Sequence, residues 1–449
     1  MRPDAPSPSR REVLALSWPI VLANSTVPLL GLVDTAVIGN MGTVVDLGGI
    51  ALGAIVFNFV YWSFGFLRMG TTGFTAQAAG AGDSVEVRAA VGRALLLAIG
   101  IGVVLLALQR SIGGLALWLL SANEEVESLT RAYFDVRIWG APASLGMFAL
   151  LGTFVGLGRT MVVLKIQLLL NGLNIVFDVL LAGVLGLGVE GIALGTAAAE
   201  WVTFGIAGIA AYKILQEGRS DTEPFWSWSR ISDRKSLHRT LDANANIMIR
   251  TLFLLAGFAW FANQSAQLGD ATLASNHILL QLVSMSAYLL DGYAHATEVL
   301  VGRAVGARQL AAFDGAVRAA TELAAATGIA LAAAVFLFGS RVIAVLTDLE
   351  PVRDLAGAYL PLAATYVLVS FAAFQLDGIF IGATGTRDMR NASVISFFAF
   401  LAASLVLVPT GGNLGLWRAL VAYVVVRAVT LAVRYPGLRE SVRGQVPGA

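Results

Sequence analysis

Residues 18–40 read WPIVLANSTVPLLGLVDTAVIGN. The stretch is apolar and long enough to cross a bilayer as one helix, which takes about 20 residues. Against that background stand two prolines, Pro19 and Pro28, and one acid, Asp34. A carboxylate near the middle of a spanning helix costs about 2.5–3.5 kcal/mol on insertion scales, so its default reading is functional. Each proline removes a backbone donor and invites a kink. An acid that can gain or lose a proton on a bendable membrane helix is a candidate coupling device.

The rest of the chain is of the same kind. Of its 449 residues 57% are hydrophobic and 13% charged, where a soluble protein carries roughly 25% charged residues. The longest polar interruption runs from Lys213 to Leu241, too short for a soluble domain. The 48 glycines suit helices that approach closely in lipid. A net charge of +1 gives no basis for a nucleic-acid partner, and the lack of cysteine removes disulfides, thiol catalysis and cysteine-bound metal. The N-terminus, MRPDAPSPSRREVLALS, has no short apolar core followed by a cleavage site, so a cytoplasmic tail is expected.

Twelve apolar segments can be marked out. They run approximately from Trp18 to Gly39, Ile50 to Ala79, Gly92 to Gln109, Tyr133 to Gly156, Val163 to Leu185 and Ile192 to Tyr212. After the linker come Leu241 to Ala266, Thr272 to Val301, Val317 to Phe338, Leu355 to Ala383, Ala392 to Val408 and Leu416 to Val433. The predicted fold is an all-α integral membrane protein with 12 transmembrane helices. With the N-terminus inside, 21 of the 30 Lys and Arg fall in cytoplasmic segments, which orients both termini toward the cytoplasm.

The chain also repeats itself. TAQAAGAGD answers LVGRAVGAR, placing Gly80 over Gly306; LLGTFVGLG answers LDGIFIGATG, placing Gly152 over Gly378; GLGVEGIAL answers NLGLWRALV, placing Gly188 over Gly415. The expected organisation is a tail over 1–17, an N-lobe over 18–212, a linker over 213–240, a C-lobe over 241–434 and a tail over 435–449. Six spans per unit is an even number, so both halves insert the same way round, and a substrate site is expected between them.

Depth along the spans sorts the intramembrane polar groups. Asp34 lies about 22 Å from the cytoplasmic end of the first span, Asp178 about 20 Å up the fifth, and Thr196 about 9 Å below the outer edge of the sixth. In a core about 30 Å thick these share one outer-half layer. Asn171, Asn174 and Asp178 are spaced three and four apart and so occupy one face of the fifth helix. They read as a hydrogen-bonded cage or as an interhelical polar clamp. Asp291, His295 and Glu298 share a face of the eighth helix nearer the cytoplasm, at a level close to Asp377 and Arg68. This second layer reads as a salt-bridge network that closes the inner side, with a proton relay as the other reading. Glu200 and Arg427 hold matching places in the two halves, open to pairing with each other or to separate local contacts.

Enzyme signals are poor. The histidines are His238, His277 and His295, and the last two stand about 27 Å apart along one helix, too far for one metal. The GxG pieces lie in or at the ends of spans, without the strand-turn-helix context of a dinucleotide fold. The linker aromatics PFWSWS suit the bilayer interface.

The repeated six-span halves, LVDTAVIGN, and the loops AQAAGAGD and VGRAVGAR resemble the multidrug and toxic compound extrusion (MATE) transporters. FLRMGTTGFTAQAAGAGD, LDGYAHATEVLVGRAVGA and QLDGIFIGATGTRDMRN resemble its DinF-type branch. The resemblance implies two pseudo-symmetric six-helix bundles around a central cleft. It implies export of organic cationic or amphiphilic compounds in exchange for H⁺ or Na⁺, without a cofactor. Asp34 would be the main coupling acid, with Asn174, Asp178 and Thr196 completing the site, and Na⁺ would bind among the same oxygens. Pro19 falls where relatives have the proline implicated in helix bending, whereas Pro28 stands nearer the acid. Asp178's counterpart in the second half is Leu405, so that half lacks a mirror-image site. The partners expected are small organic molecules and the lipid bilayer, for a monomer in a prokaryotic inner membrane. A flippase for a lipid-linked precursor is the alternative; it would favour a cationic cleft for pyrophosphate.

Overall fold

The structure is a computed structural model, and it describes residues 8–26, 44–120, 124–217 and 224–443. Asp34 and Pro28 lie outside the described residues. Every regular element among those described is helical. In chain order they are α1 (Arg10–Ser25), α2 (Val44–Ser63), α3 (Phe66–Ala81), α4 (Ser84–Ala107), α5 (Gln109–Leu120), α6 (Glu124–Arg137), α7 (Ala141–Gly156), α8 (Thr160–Asp178), α9 (Gly188–Gln216), α10 (Trp228–Ile231), α11 (Arg234–Gln267), α12 (Asp270–Ala307), α13 (Leu310–Leu346), α14 (Glu350–Gly382) and α15 (Thr386–Arg443).

Ten helical stretches among the described residues are long and apolar enough to cross a membrane. One of them, α15, carries the eleventh and twelfth spans together, because Gly412 breaks it with φ 53° and ψ −132°. The second span is likewise two helices, α2 and α3, joined through bonds from Phe64 N to Tyr61 O and Gly65 N to Trp62 O. Helix α5 had no counterpart among the expected segments; at 12 residues it is too short to span.

The helices form two compact units. One, here the N-unit, comprises Leu22–Ala78 and Asp83–Leu241; the other, the C-unit, comprises Met1–Val21, Ala79–Gly82 and Asp242–Ala449. The N-unit holds an aromatic cluster in which Phe57 stacks on Phe134 and meets Tyr133 edge-on. It also takes in the linker: buried Arg88 and Arg93 on α4 donate to the carbonyls of Phe225 and Arg230, and Ile231 of α10 is buried. The aromatics of PFWSWS thus begin on a protein surface, with Phe225 packed on Tyr212 and Trp226. In the C-unit the apolar core gathers Phe261, Leu279, Leu360, Phe400, Trp417 and Tyr423, and the first helix packs there through Ser17 and Val21 against Gly292.

The internal repeat is visible in the backbone. Gly82 ends α3 at φ 71°, with Asp83 N bonded to Ala78 O; Arg308 ends α12 at φ 57°, with Gln309 N bonded to Ala304 O. Gly158 and Thr384 repeat the pattern at φ 69° and 56°, with bonds from Arg159 N to Phe154 O and from Gly385 N to Phe380 O. These are left-handed C-caps that return the last helical carbonyls to a donor. The close crossings repeat too. A Cβ on Gly152 or Gly156 would strike the carbonyl oxygens of Arg68 or Thr72, and one on Gly378 or Gly382 would strike those of Ala294 or Glu298. Small residues four apart bring two membrane helices into backbone contact in each unit.

Candidate functional site

The site grows out of the end of α8. Asn171, Asn174 and Asp178 lie on its buried face. Directly after Asp178 the helix widens into a π-helical turn, Val179–Val184, a local insertion common at functional sites. Helix α9 comes back alongside, and it lies close because position 195 is glycine. A Cβ there would sit 2.5 Å from Asp178 Oδ1 and 3.2 Å from the Asp178 amide nitrogen. One turn away, Asn174 Nδ2 donates to Thr196 Oγ1 at 2.9 Å, and Thr196 Oγ1 donates to the Ile192 carbonyl at 2.9 Å. Asn174 Oδ1 is buried with no hydrogen-bond partner among the described residues. Asn171 turns to another partner: its Nδ2 donates to Thr26 Oγ1 at 2.8 Å, while Gln167 donates to its Oδ1 at 3.1 Å.

The structure therefore brings Asn174, Asp178 and Thr196 together on two adjacent helices, with Asn171 tied to the end of the first helix at Thr26. Asp178 is fully buried and Asn174 nearly so. The sequence reading passed over Gly195, Thr26 and Gln167. Gly195 was legible only as one glycine among 48, since what it makes room for is a residue on another helix. Asp34 lies outside the described residues. The three residues present offer oxygen donors, the ligand type that hard cations take; of these oxygens, those of the Asp178 carboxylate can bind a proton. Among the described residues no group of three or more His, Cys, Asp or Glu is placed to hold a metal ion.

Pro19 is buried inside α1, which continues through it to Ser25. In the C-unit, His295 lies between two acids, with Nε2 3.3 Å from Asp291 Oδ2 and Nδ1 3.0 Å from Glu298 Oε1. A neutral imidazole has one donor and one acceptor nitrogen, and an ionised carboxylate only accepts. Making both bonds thus requires one proton more than a neutral histidine and two carboxylates carry. Asp377 is paired with Arg250 and with Arg427 at 3.8 Å. Arg68 is on α3 in the N-unit.

Glu200 and Arg427 make separate local contacts. Arg137 grips Glu200 with two bonds, Nη1 to Oε2 at 2.7 Å and Nη2 to Oε1 at 2.5 Å, and lies over the rings of Phe57 and Tyr61. Arg137 and Arg250 had no role in the sequence reading, which followed intramembrane acids and, among the cations, weighed only Arg68 and Arg427. The signal was available, because an arginine inside a span is as costly as an aspartate.

Comparison with known proteins bears on the family and the fold. The MatE family model matches residues 19–180 and again 247–408, one copy in each half of the chain. Over 418 residues the chain is 37% identical to DNA damage-inducible protein F of Escherichia coli K12, covering 93% of this chain and 90% of that protein. It is 28% identical over 447 residues to a probable multidrug resistance protein NorM of Deinococcus radiodurans, covering 95% and 94%. A crystal structure of MATE in the straight conformation superposes with a TM-score of 0.84 at 19% identity, over 97% of this chain and 96% of that one. The chain is a multi-pass membrane transporter rather than an enzyme, and it belongs to the MATE family, in its DinF-type branch.

Proposed function

We propose that the protein is a cation-coupled antiporter that exports organic cationic or amphiphilic toxic compounds by alternating access, with H⁺ as the coupling ion in preference to Na⁺. The observation that carries this reading is the buried oxygen cluster of Asn174, Asp178 and Thr196 beside the π-helical turn. The multidrug name of the NorM relative supports the export half of the reading. The proton is favoured because Asp178 is the one carboxylate of the three, so a single group can take and release the coupling ion, while Thr196 Oγ1 donates to a carbonyl and accepts from Asn174. The carboxylate takes a proton from outside and surrenders it inside.

Asp34 and Asp178 then act as one titrating pair, with the first helix bending at Pro19 or Pro28 as the pair loads and empties. An inward-moving charge gains about 2.3 kcal/mol per 100 mV, enough to bias the cycle. The Asp291–His295–Glu298 cluster serves in the inner-side closure, in a monomer of a prokaryotic inner membrane with both termini cytoplasmic. Efflux from proteoliposomes under an imposed ΔpH or ΔNa⁺, applied separately, is the test. Wild type should respond to ΔpH, and Asp34→Asn and Asp178→Asn should lose that response. Full ΔpH-driven export by Asp34→Asn would overturn the mechanism.

A further inference from the structure

The C-unit holds an intramembrane cluster with an excess of positive charge. Arg250 on α11 and Arg427 on α15 both face one carboxylate oxygen, Asp377 Oδ2 on α14. Two guanidiniums and one carboxylate sum to +1. Arginine does not lose its proton in proteins, so titration cannot relieve the excess. All three residues are more than nine-tenths buried. Tyr366 and Tyr423 are the phenols that feel the charge of Arg427. The Tyr423 hydroxyl is engaged as a donor to the Phe253 carbonyl at 3.3 Å, so it does not supply the missing negative charge.

The donors repeat the imbalance. Arg250 Nε and Arg427 Nε are each buried with no hydrogen-bond partner among the described residues. A buried cation without a counter-charge, carrying an unmade N–H bond, is strongly disfavoured. A guanidinium is the group best shaped to donate to a carboxylate, sulfonate or halide.

We propose that Arg250 and Arg427 form a binding site for a singly charged anion in the C-unit, with Asp377 setting its affinity by cancelling one of the two positive charges. The anion has two sources, a free inorganic ion or the anionic group of an exported amphiphile. The site is independent of the ion that drives transport. It would allow a compound with an anionic group to be carried by a protein whose N-unit chemistry is acidic.

The test titrates the purified full-length protein with sodium bromide and, separately, with sodium pentanesulfonate, reading the thermal unfolding midpoint. Wild type should be stabilised in a saturable way. Arg427→Gln makes the cluster neutral and should raise the half-saturating concentration about tenfold or more. Asp377→Asn makes it +2 and should lower that concentration, a change of opposite sign that loss of packing cannot imitate. Stabilisation by bromide identifies an inorganic anion, and stabilisation by the sulfonate alone identifies the head group of a substrate. Should Arg427→Gln fail to fold, bromide anomalous density beside the two Nε atoms of the wild type decides the matter. No saturable response to either anion, or equal responses in all three proteins, overturns the proposal.

Discussion

Glu200→Gln isolates the energetics of the buried ion pair in the N-unit. Arg137 and Glu200 are joined by two short bonds in a fork-to-carboxylate geometry, with side chains 8% and 11% exposed. The packing leaves no slack: a Cβ on Gly140 would lie 2.2 Å from Glu200 Oε2. Removing one member of such a pair strands a charge and costs about 3–5 kcal/mol. We expect the lower end, about 3 kcal/mol, for Glu200→Gln. Glutamine keeps one acceptor oxygen for the guanidinium, and the rings of Phe57 and Tyr61, 5.2 and 5.4 Å from Arg137 Cζ, continue to support the cation. Arg137→Met should cost nearer 5 kcal/mol, because it leaves a carboxylate with no comparable support. The double variant Arg137→Met/Glu200→Met should recover most of both losses, since no buried charge remains. The assay is unfolding in mixed micelles of increasing dodecyl sulfate fraction, followed by tryptophan fluorescence, as a double-mutant cycle. A Glu200→Gln loss below about 1 kcal/mol, the value of an exposed pair, would refute the reasoning. So would a double variant as unstable as either single one.

Gly195→Ala places a methyl group 2.5 Å from Asp178 Oδ1, so it should displace the carboxylate, cost about 1–3 kcal/mol as overpacking does, and depress ΔpH-driven efflux. Efflux at the wild-type rate would count against Asp178 as a coupling group. Arg308→Gly removes a non-glycine residue from φ 57° and should stabilise the protein by about 1 kcal/mol in the same unfolding assay. Asp233 caps α11 by accepting from the Ser236 amide at 2.9 Å, and that bond holds its carboxyl below the usual carboxylate range. A depressed folded value gives stability that is present above the unfolded value and lost as pH falls through the folded one. Hydrogen exchange at Ser236 should therefore lose protection on that acid side, and Asp233→Asn should abolish the pH dependence.

Much of the fold was legible because membrane insertion is a one-dimensional constraint. A span must be apolar for about 20 residues, so its place can be read directly along the chain. The breaks were less legible. Gly412 divides α15 and Gly65 divides the second span, yet neither glycine differs in composition from the many that lie in unbroken helices. In the site, the three-and-four spacing of Asn171, Asn174 and Asp178 was readable along one helix, because helical periodicity is local. The bond from Asn174 to Thr196 depends on how α9 packs on α8, and Gly195 controls that approach from the partner helix. Arg137 and Arg250 were missed for a different reason. A lone intramembrane arginine signals its cost, but its neutralising acid lies 63 residues away in one case and 127 in the other.

The repeat explains why one framework can carry opposite chemistries. Where the two halves must agree, they agree in backbone: the left-handed caps at Gly82 and Arg308 and at Gly158 and Thr384, and the crossings at Gly152 and Gly378. Those features set helix ends and interaxial distances, and a change in either would shift every side chain on the helix. Polar side chains carry no such global constraint, provided each buried charge is compensated locally. Accordingly Glu200 and Arg427 occupy equivalent positions with opposite sign, each matched inside its own unit by Arg137 or by Asp377. Asp178 likewise faces an equivalent leucine, Leu405, and Thr196 an equivalent tyrosine, Tyr423, in the apolar core of the C-unit. Local compensation is complete at Arg137–Glu200, where one cation meets one anion with both bonds made. It is incomplete at Arg250–Asp377–Arg427, where two cations share one acid and two buried N–H groups are left over. An imbalance inside a frame that elsewhere repeats so closely points to a partner the polypeptide does not supply, which is why the opposite responses of Arg427→Gln and Asp377→Asn to an added anion discriminate between a binding site and a packing defect.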